Sequence, residues 1–345
     1  MSQARSSNIE LYRIIVMLFI VAHHYVVNSG LLTDVLNNEA MSVQSVFYSL
    51  FGMWGKTGIN CFVMITGYFM CKSDITIRKF LKLYLQVLFY HFIIWGIFVA
   101  TGREAFSYER VFIYLLPFAR LEHGFVSCFM AFFLFIPFLN ILVRNMSQRQ
   151  HVLLTALLLF VHTGLYHLPA CWGDYNYVTW FITLFFVASY IRLYRLPCNE
   201  SVSCWGWLTL ASVMIAMASV VACMYLHKPR YMFVADSPAI MALVVAVCSF
   251  MFFKNLPMQY SRIINLVAST TFGVLLIHAH SKAMRIWLWQ EVADVVGHYG
   301  AAYQYLYAIA VVVVVFATCS VLDMGRIYLL ERPIFTRFID RVVKK

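Results

Sequence analysis

The chain alternates long apolar stretches with short polar ones. A helix that crosses a bilayer needs about 20 mostly apolar residues, and ten stretches approach that length. They cover residues 9–28, 45–70, 80–100, 124–143, 152–168, 177–192, 205–226, 237–253, 264–281 and 301–322. This pattern predicts an all-α polytopic membrane protein with about ten transmembrane helices. With no repeat or soluble segment in view, residues 1–345 are expected to form a single membrane-embedded domain.

The composition supports a membrane protein. Hydrophobic residues make up 62% of the chain and charged residues only 12%, with a mean hydropathy of +0.77, whereas soluble proteins contain about 25% charged residues. The first apolar stretch does not resemble a cleaved signal peptide, because Glu10 and Arg13 interrupt its start and no small-residue cleavage site follows. The nine cysteines show no CxxC pair, so neither a disulfide framework nor a metal site is predicted.

The positive charges follow the loops. If the N-terminus lies inside, most of the 26 Lys and Arg residues fall in inner loops and in the C-terminal tail. This bias predicts that both termini are cytoplasmic in a multi-pass protein of the cell (inner or plasma) membrane. The net charge of +11 is then largely a consequence of topology, and no nucleic-acid partner is expected.

Two ionisable residues share a face of the first predicted helix. Arg13 and His24 are separated by 11 positions, which places them within about 20° of each other and roughly 16 Å apart along the axis. His23 is rotated by about 80° from Arg13 and is expected to point elsewhere. Because ionisable groups inside a membrane usually serve function, Arg13 and His24 are the first candidates for a site.

Other polar residues fall into an outer and an inner group. The outer group consists of possible acceptor-side or supporting residues, and the inner group could hold phosphates next to the first inner loop. The outer residues are Lys56, Asn60, His123, Asp236 and His278, and the inner ones are Arg78, Lys79 and Lys82.

Several segments resemble one known family in order along the chain. They include "NIELYRIIVMLFIVAHHYVV", "GKTGINCFVMITGYFM" and "ASTTFGVLLIHAHSKAMRIWLW". The chain resembles acyltransferase family 3, integral-membrane proteins that acylate bacterial surface polysaccharides. The hallmark of that family is an arginine, ten residues and a histidine, and Arg13 and His24 match this spacing.

The resemblance implies a membrane O-acyltransferase, most often an O-acetyltransferase. Its co-substrate would be cytoplasmic acetyl-CoA or another acyl-CoA, with no permanently bound cofactor. Its acceptor would be a sugar hydroxyl of a surface glycan or of a lipid-linked oligosaccharide precursor. Arg78, Lys79 and Lys82 would bind the donor's phosphates, and its arm would run along the face of Arg13 and His24.

Two questions stay open at this point. His24 can serve as a general base or as a transiently acylated nucleophile, and the sequence does not separate these roles. A polytopic transporter or flippase, or a non-catalytic scaffold, is the alternative to an enzyme. Transport is less favoured, because such proteins often contain internal repeats and paired helices broken by Gly or Pro, and neither is evident here.

The topology can be tested with single engineered thiols. Cysteines at Asn37 and Glu291 are expected to react with an impermeant maleimide added to intact cells, and one at Asn145 is expected to react only after lysis. Labelling of Asn145→Cys in intact cells would reverse the predicted orientation.

Overall fold

The structure, a computed structural model, describes residues 6–118, 121, 124–168, 175–194 and 200–343, and every regular element among them is helical. The α-helices are α1 (Ser7–Val27), α2 (Val43–Gly52), α3 (Gly55–Met70), α4 (Ile77–Ala100), α5 (Tyr108–Leu115), α6 (Phe125–Asn145), α7 (Gln148–Leu159), α8 (Tyr177–Leu193), α9 (Val202–Tyr225), α10 (Ile240–Asn255), α11 (Arg262–Ala268), α12 (Thr271–His278), α13 (Lys282–Ile286), α14 (Gln304–Arg326) and α15 (Thr336–Val343). Short π or 3-10 turns cover Leu31–Leu36, Phe160–Gly164, Leu165–His167, Trp287–Val292 and Ile327–Phe335.

Polar caps fix where many of these helices begin. A side-chain oxygen accepts a hydrogen bond from a backbone N–H of the first turn, which would otherwise lack a partner. Such caps precede α2, α4, α5, α7, α8, α9, α11 and α13, and are formed by Ser42, Thr76, Ser107, Ser147, Asn176, Ser201, Ser261 and Ser281.

Helix α1 lies at the centre of the bundle. It packs against α2, α3, α10, α11, α12 and α14, and α3 in turn packs against α8 and α10. In the most apolar part of α1, 56% of the residues are buried, against 22% in α9. The large side chains Trp207, Leu210 and Ile215 of α9 are exposed, as expected for a helix that faces lipid. Much of α1 is therefore enclosed by protein, although Phe19 is exposed.

The predicted span at 45–70 consists of two helices, α2 and α3. The break falls where the chain passes close to α1: a Cβ on Gly52 would lie 2.7 Å from the Cβ of Val26, and one on Gly55 would lie 2.2 Å from the ring of His23. Hydrophobicity alone does not show this break, because Met53 and Trp54, which lie between the two helices, are themselves apolar. The kink brings the start of α3 against the histidine pair.

Five helical segments among the described residues are long and apolar enough to cross a membrane, or up to six if a bent pair counts as one span. The five are Ser7–Val27, Ile77–Ala100, Phe125–Asn145, Val202–Tyr225 and Gln304–Val343, and the bent pair is Arg262–His278 with Lys282–Val292. α8 and α10 are apolar but shorter. The chain is thus a helical, multi-pass membrane protein, and the ten-span topology stays a prediction.

A buried ion network joins α14 to α4 near one end of the bundle. Arg326 donates to Asp323 and to Glu331, each at 2.6 Å, and Tyr90 donates to Asp323 at 2.6 Å. Lys82 completes the network with a 2.6 Å ion pair to Glu331. Because buried charges are tolerated only when paired and hydrogen-bonded, this network fixes the relative positions of the two helices.

Candidate active site

Two cavities open along α1. The first, called the Arg13 cavity, has a volume of about 640 Å³ and includes Glu10 and Arg13 from the start of the helix. The second, called the His24 cavity, has a volume of about 410 Å³ and includes His23 and His24 from its end. Phe62 on α3 lines both cavities. Phe62 therefore lies where the two cavities approach each other.

The Arg13 cavity is rich in cations. Arg13 lies 3.6 Å from Glu10 in an ion pair, and its guanidinium lies 5.7 Å from the centre of the Phe62 ring. The other lining cations are Lys79, Lys82, Arg192 and Lys254. An anionic ligand with a long uncharged arm is complementary to such a cavity, because the cations would hold its charges and the aromatic side chains would contact the arm.

Of the three residues predicted to bind phosphate, two line the Arg13 cavity and one does not. Lys79 and Lys82 line the Arg13 cavity, whereas Arg78 lies outside the lining and pairs with Asp340 at 3.1 Å. Sequence reasoning missed Arg192 and Lys254, because each was counted only as a positive charge of an inner loop. Both residues lie in the last turn of their helices, α8 and α10. That position at a helix end was the sequence signal that could have added them to the predicted phosphate-binding residues.

His24 is hydrogen-bonded to His278. The Nδ1 atom of His278 lies 2.6 Å from the carbonyl oxygen of Val274, which can only accept, so Nδ1 carries the proton. In a neutral ring the Nε2 atom of His278 is then an acceptor, and it lies 2.9 Å from His24 Nδ1. His24 Nδ1 therefore donates, and the lone pair of His24 resides on Nε2. A base or nucleophile needs that lone pair.

His23 also lines the His24 cavity, so the expectation that it points elsewhere is wrong. Consecutive residues of a helix are about 100° apart, which is too small an angle to keep His23 out of a cavity that spans a wide sector of α1. The ring is nevertheless held differently, because its Nδ1 donates to the Gly52 carbonyl oxygen at 2.6 Å and it packs onto Gly55. His23 thus contacts the junction of α2 and α3, and His24 contacts α12.

Lys56 and Asn60 lie in different surroundings: Lys56 faces a cavity and Asn60 is buried between helices. Lys56 lines the His24 cavity and donates to the Tyr177 hydroxyl at 2.6 Å. Asn60 is fully buried, donates to the Ser237 carbonyl oxygen at 2.8 Å and accepts from the Trp180 indole at 2.8 Å. Asn60 therefore connects α3 to its neighbours.

The two remaining outer candidates, Asp236 and His123, are not among the residues that the structure places in either cavity. Asp236 accepts hydrogen bonds from the hydroxyls of Tyr166 at 2.7 Å and Tyr175 at 3.5 Å, and it is not among the residues that line either cavity. His123 lies outside the described residues. His91 and His280 also line the His24 cavity. His280 ends the ninth apolar stretch together with His278, which places both on the predicted outer side. His91 was not selected from the sequence, because an isolated histidine within an apolar helix gives little signal.

A family model described as an acyltransferase domain matches residues 6–323, and it is the model of acyltransferase family 3. The chain belongs to acyltransferase family 3. No curated protein and no solved structure gives a match. The matched residues include the whole lining of both cavities. Membership of an acyltransferase family does not favour the transporter or flippase.

In this family 3 acyltransferase, the role of His278 can be tested by keeping or removing its acceptor atom. His278→Gln is expected to retain most activity, because the amide oxygen can accept from His24 Nδ1. His278→Leu is expected to reduce turnover about 100-fold, within the range for a general base. The measurement is turnover, together with the ¹⁵N shifts of His24 in histidine-labelled protein, which report its tautomer.

Equal loss of turnover in both variants, with the His24 tautomer unchanged, would contradict the inferred hydrogen-bond direction.

Proposed function

We propose that this protein transfers an acetyl group from cytoplasmic acetyl-CoA to a sugar hydroxyl of a cell-surface glycan or of its lipid-linked precursor. The observation that supports this most is the pair of polar cavities at the two ends of α1, one containing Arg13 and the other His24, with Phe62 lining both. A donor and an acceptor can then approach one histidine from opposite sides.

We propose that the Arg13 cavity faces the cytoplasm. In the orientation with ten spans and both termini inside, Lys79, Arg192 and Lys254 belong to the inner side, as the positive-inside bias requires. The His24 cavity then opens toward the outer half of the inner or plasma membrane.

The donor would bind with its phosphates at the mouth of the Arg13 cavity. The volume of about 640 Å³ lies within the usual range for small-molecule sites, about 300–1,000 Å³. Guanidinium and ammonium groups both bind phosphate, and guanidinium can do so with two hydrogen bonds. Arg192 also donates to the Tyr68 hydroxyl at 2.8 Å, which holds its side chain in place for such a contact.

The acyl end of the donor must pass Phe62 to reach His24. An acetyl thioester is uncharged and narrow, and a rotation of the Phe62 ring would open a path for it between the cavities. The charged nucleotide would remain in the Arg13 cavity. This arrangement separates the two substrates and keeps water away from the thioester until an acceptor is bound.

At His24, the lone pair on Nε2 would take the proton of the acceptor hydroxyl. The hydroxyl oxygen then attacks the carbonyl carbon, the carbon–sulfur bond breaks, and the thiolate receives the proton from the imidazolium. If His24 is instead the nucleophile, Nε2 attacks the thioester carbonyl carbon and the carbon–sulfur bond breaks to release the CoA thiolate. The sugar hydroxyl then attacks the acyl carbon, the carbon–nitrogen bond to His24 breaks, and the hydroxyl proton passes to the thiolate. His278 supports both routes, because its Nε2 accepts a hydrogen bond from His24 Nδ1. This hydrogen bond stabilises a cationic or acylated His24 ring.

The donor site predicts which cations matter. Lys79→Gln combined with Arg192→Gln is expected to weaken CoA binding about tenfold or more, because a hydrogen bond to a charged group contributes about 1.5–3 kcal/mol. Isothermal titration of CoA into purified protein measures the effect, and Arg78→Gln is the matched control outside the cavity. CoA affinity that is unchanged in the double variant, or reduced as strongly in Arg78→Gln, would contradict this donor site.

The acyl-transfer proposal is tested most simply at His24. In purified protein, His24→Ala is expected to reduce acetyl transfer by about 10²–10⁴-fold while CoA still binds. His23→Ala is expected to cost much less, because its ring is anchored to the backbone of Gly52. Mass spectrometry of the acceptor glycan and release of free CoA are the readouts. Near-normal acetylation in His24→Ala would contradict the assignment.

A further inference from the structure

The His24 cavity contains two cations without an acidic partner. Lys56 donates to the hydroxyl of Tyr177, and Arg285 donates from Nε to the Ser281 carbonyl oxygen at 3.2 Å. None of the described residues that line this cavity is an aspartate or a glutamate, and neither cation forms an ion pair with any residue in the described ranges.

Two cations without acidic partners are energetically unfavourable inside a membrane protein unless an anionic ligand binds there. Cations inside a membrane protein are normally paired with acidic groups or face a site where a charged substrate binds. The planar guanidinium of Arg285 presents two terminal amino groups, a geometry that matches a carboxylate or a phosphate. The missing negative charge is therefore expected on the molecule that enters the cavity.

Unpaired polar atoms in the same cavity point to a ligand with hydroxyl groups. Asn28 Nδ2, His91 Nδ1 and both ring nitrogens of His280 are buried and make no hydrogen bond of normal geometry with the described residues, and all three residues line the cavity. The backbones of Tyr114 and His91, respectively, lie near the two rings. Buried polar atoms are nearly always paired in native proteins. Hydroxyl groups both donate and accept, so a sugar can satisfy amide and imidazole atoms together.

We propose that the acceptor is an anionic glycan, whose negative group is bound by Lys56 and Arg285 while one of its hydroxyls faces His24. The negative group is the carboxylate of an acidic sugar or the phosphate that links a sugar to its lipid. This inference rests on the proposed acyl transfer and adds the chemical class of the acceptor. The cations of the Arg13 cavity hold a different anion, the donor.

Binding of matched sugars tests the proposal. Purified protein is saturated with CoA, so that the Arg13 cavity is occupied, and is titrated with methyl glucuronide, glucose 1-phosphate or methyl glucoside. The glucuronide or the phosphate is expected to bind at least tenfold more tightly than the glucoside. Preference for the first assigns an acidic sugar, and preference for the second assigns a phosphate-linked sugar.

Substitution of the two cations tests whether they bind the negative group of the sugar. Lys56→Gln combined with Arg285→Gln is expected to abolish the preference for the anionic sugar. Lys282→Gln is the matched control, because it removes an exposed cation from the same short helix and is expected to leave the preference intact. A preference that survives in the double variant, or equal binding of all three sugars to the parent protein, would overturn the proposal.

Two carboxylates outside the described residues provide a further control. Glu122→Gln combined with Asp174→Asn is expected to leave the affinity for the anionic sugar unchanged. An increase of about tenfold or more would mean that these side chains neutralise the cations internally, and would overturn the proposal.

Turnover separates this inference from the proposed function. If the protein consumes acetyl-CoA and acetylates neutral and anionic sugars equally, acyl transfer stands and the anionic acceptor is wrong. If an anionic sugar binds through Lys56 and Arg285 but acetyl-CoA is never consumed, the acyl-transfer proposal fails, and with it the identification of this anion as an acceptor.

Discussion

A polar side chain within a bilayer must find its partner in the protein or in a ligand, because lipid supplies none. Helix α1 carries Glu10, Arg13, His23 and His24 through the centre of the bundle, and its neighbours are arranged around them. Arg13 pairs with Glu10, His23 donates to Gly52, and His24 donates to His278. The contacts of His23 and His24 fix the end of α2 and helix α12 relative to α1, whereas the pair of Arg13 and Glu10 lies within α1. The two cavities lie between the elements so placed.

The sequence predicted most helices closely, because an apolar stretch of membrane length has few alternatives. The predicted spans at 80–100, 124–143 and 205–226 correspond to Ile77–Ala100, Phe125–Asn145 and Val202–Tyr225. The breaks were not predictable in the same way. The division of residues 45–70 depends on the close approach of Gly52 and Gly55 to α1, which is a tertiary contact that hydropathy does not encode.

The candidate site was predictable in part for a similar reason. The spacing of Arg13 and His24 on one helix is a local property, and both side chains line cavities along α1. The other residues of the site come from distant parts of the chain. His278, the hydrogen-bond partner of His24, is 254 positions away from it, and Arg192 and Arg285 line the two cavities from α8 and α13. Helix-face reasoning on α1 also could not show how wide the cavity is, which is why His23 was excluded from it incorrectly.

If donor and acceptor bind in the two cavities as proposed, an acyl group passes from the Arg13 cavity to the His24 cavity, and therefore across the membrane. The most direct measurement uses purified protein in sealed vesicles, with radiolabelled acetyl-CoA outside and oligosaccharide from the native surface glycan inside. In vesicles where the N-terminus faces outward, labelled oligosaccharide is expected in the lumen, and much less of it when Phe62→Trp places a larger ring between the cavities. Labelled product that forms only when donor and acceptor share one side of the membrane would contradict transfer across it.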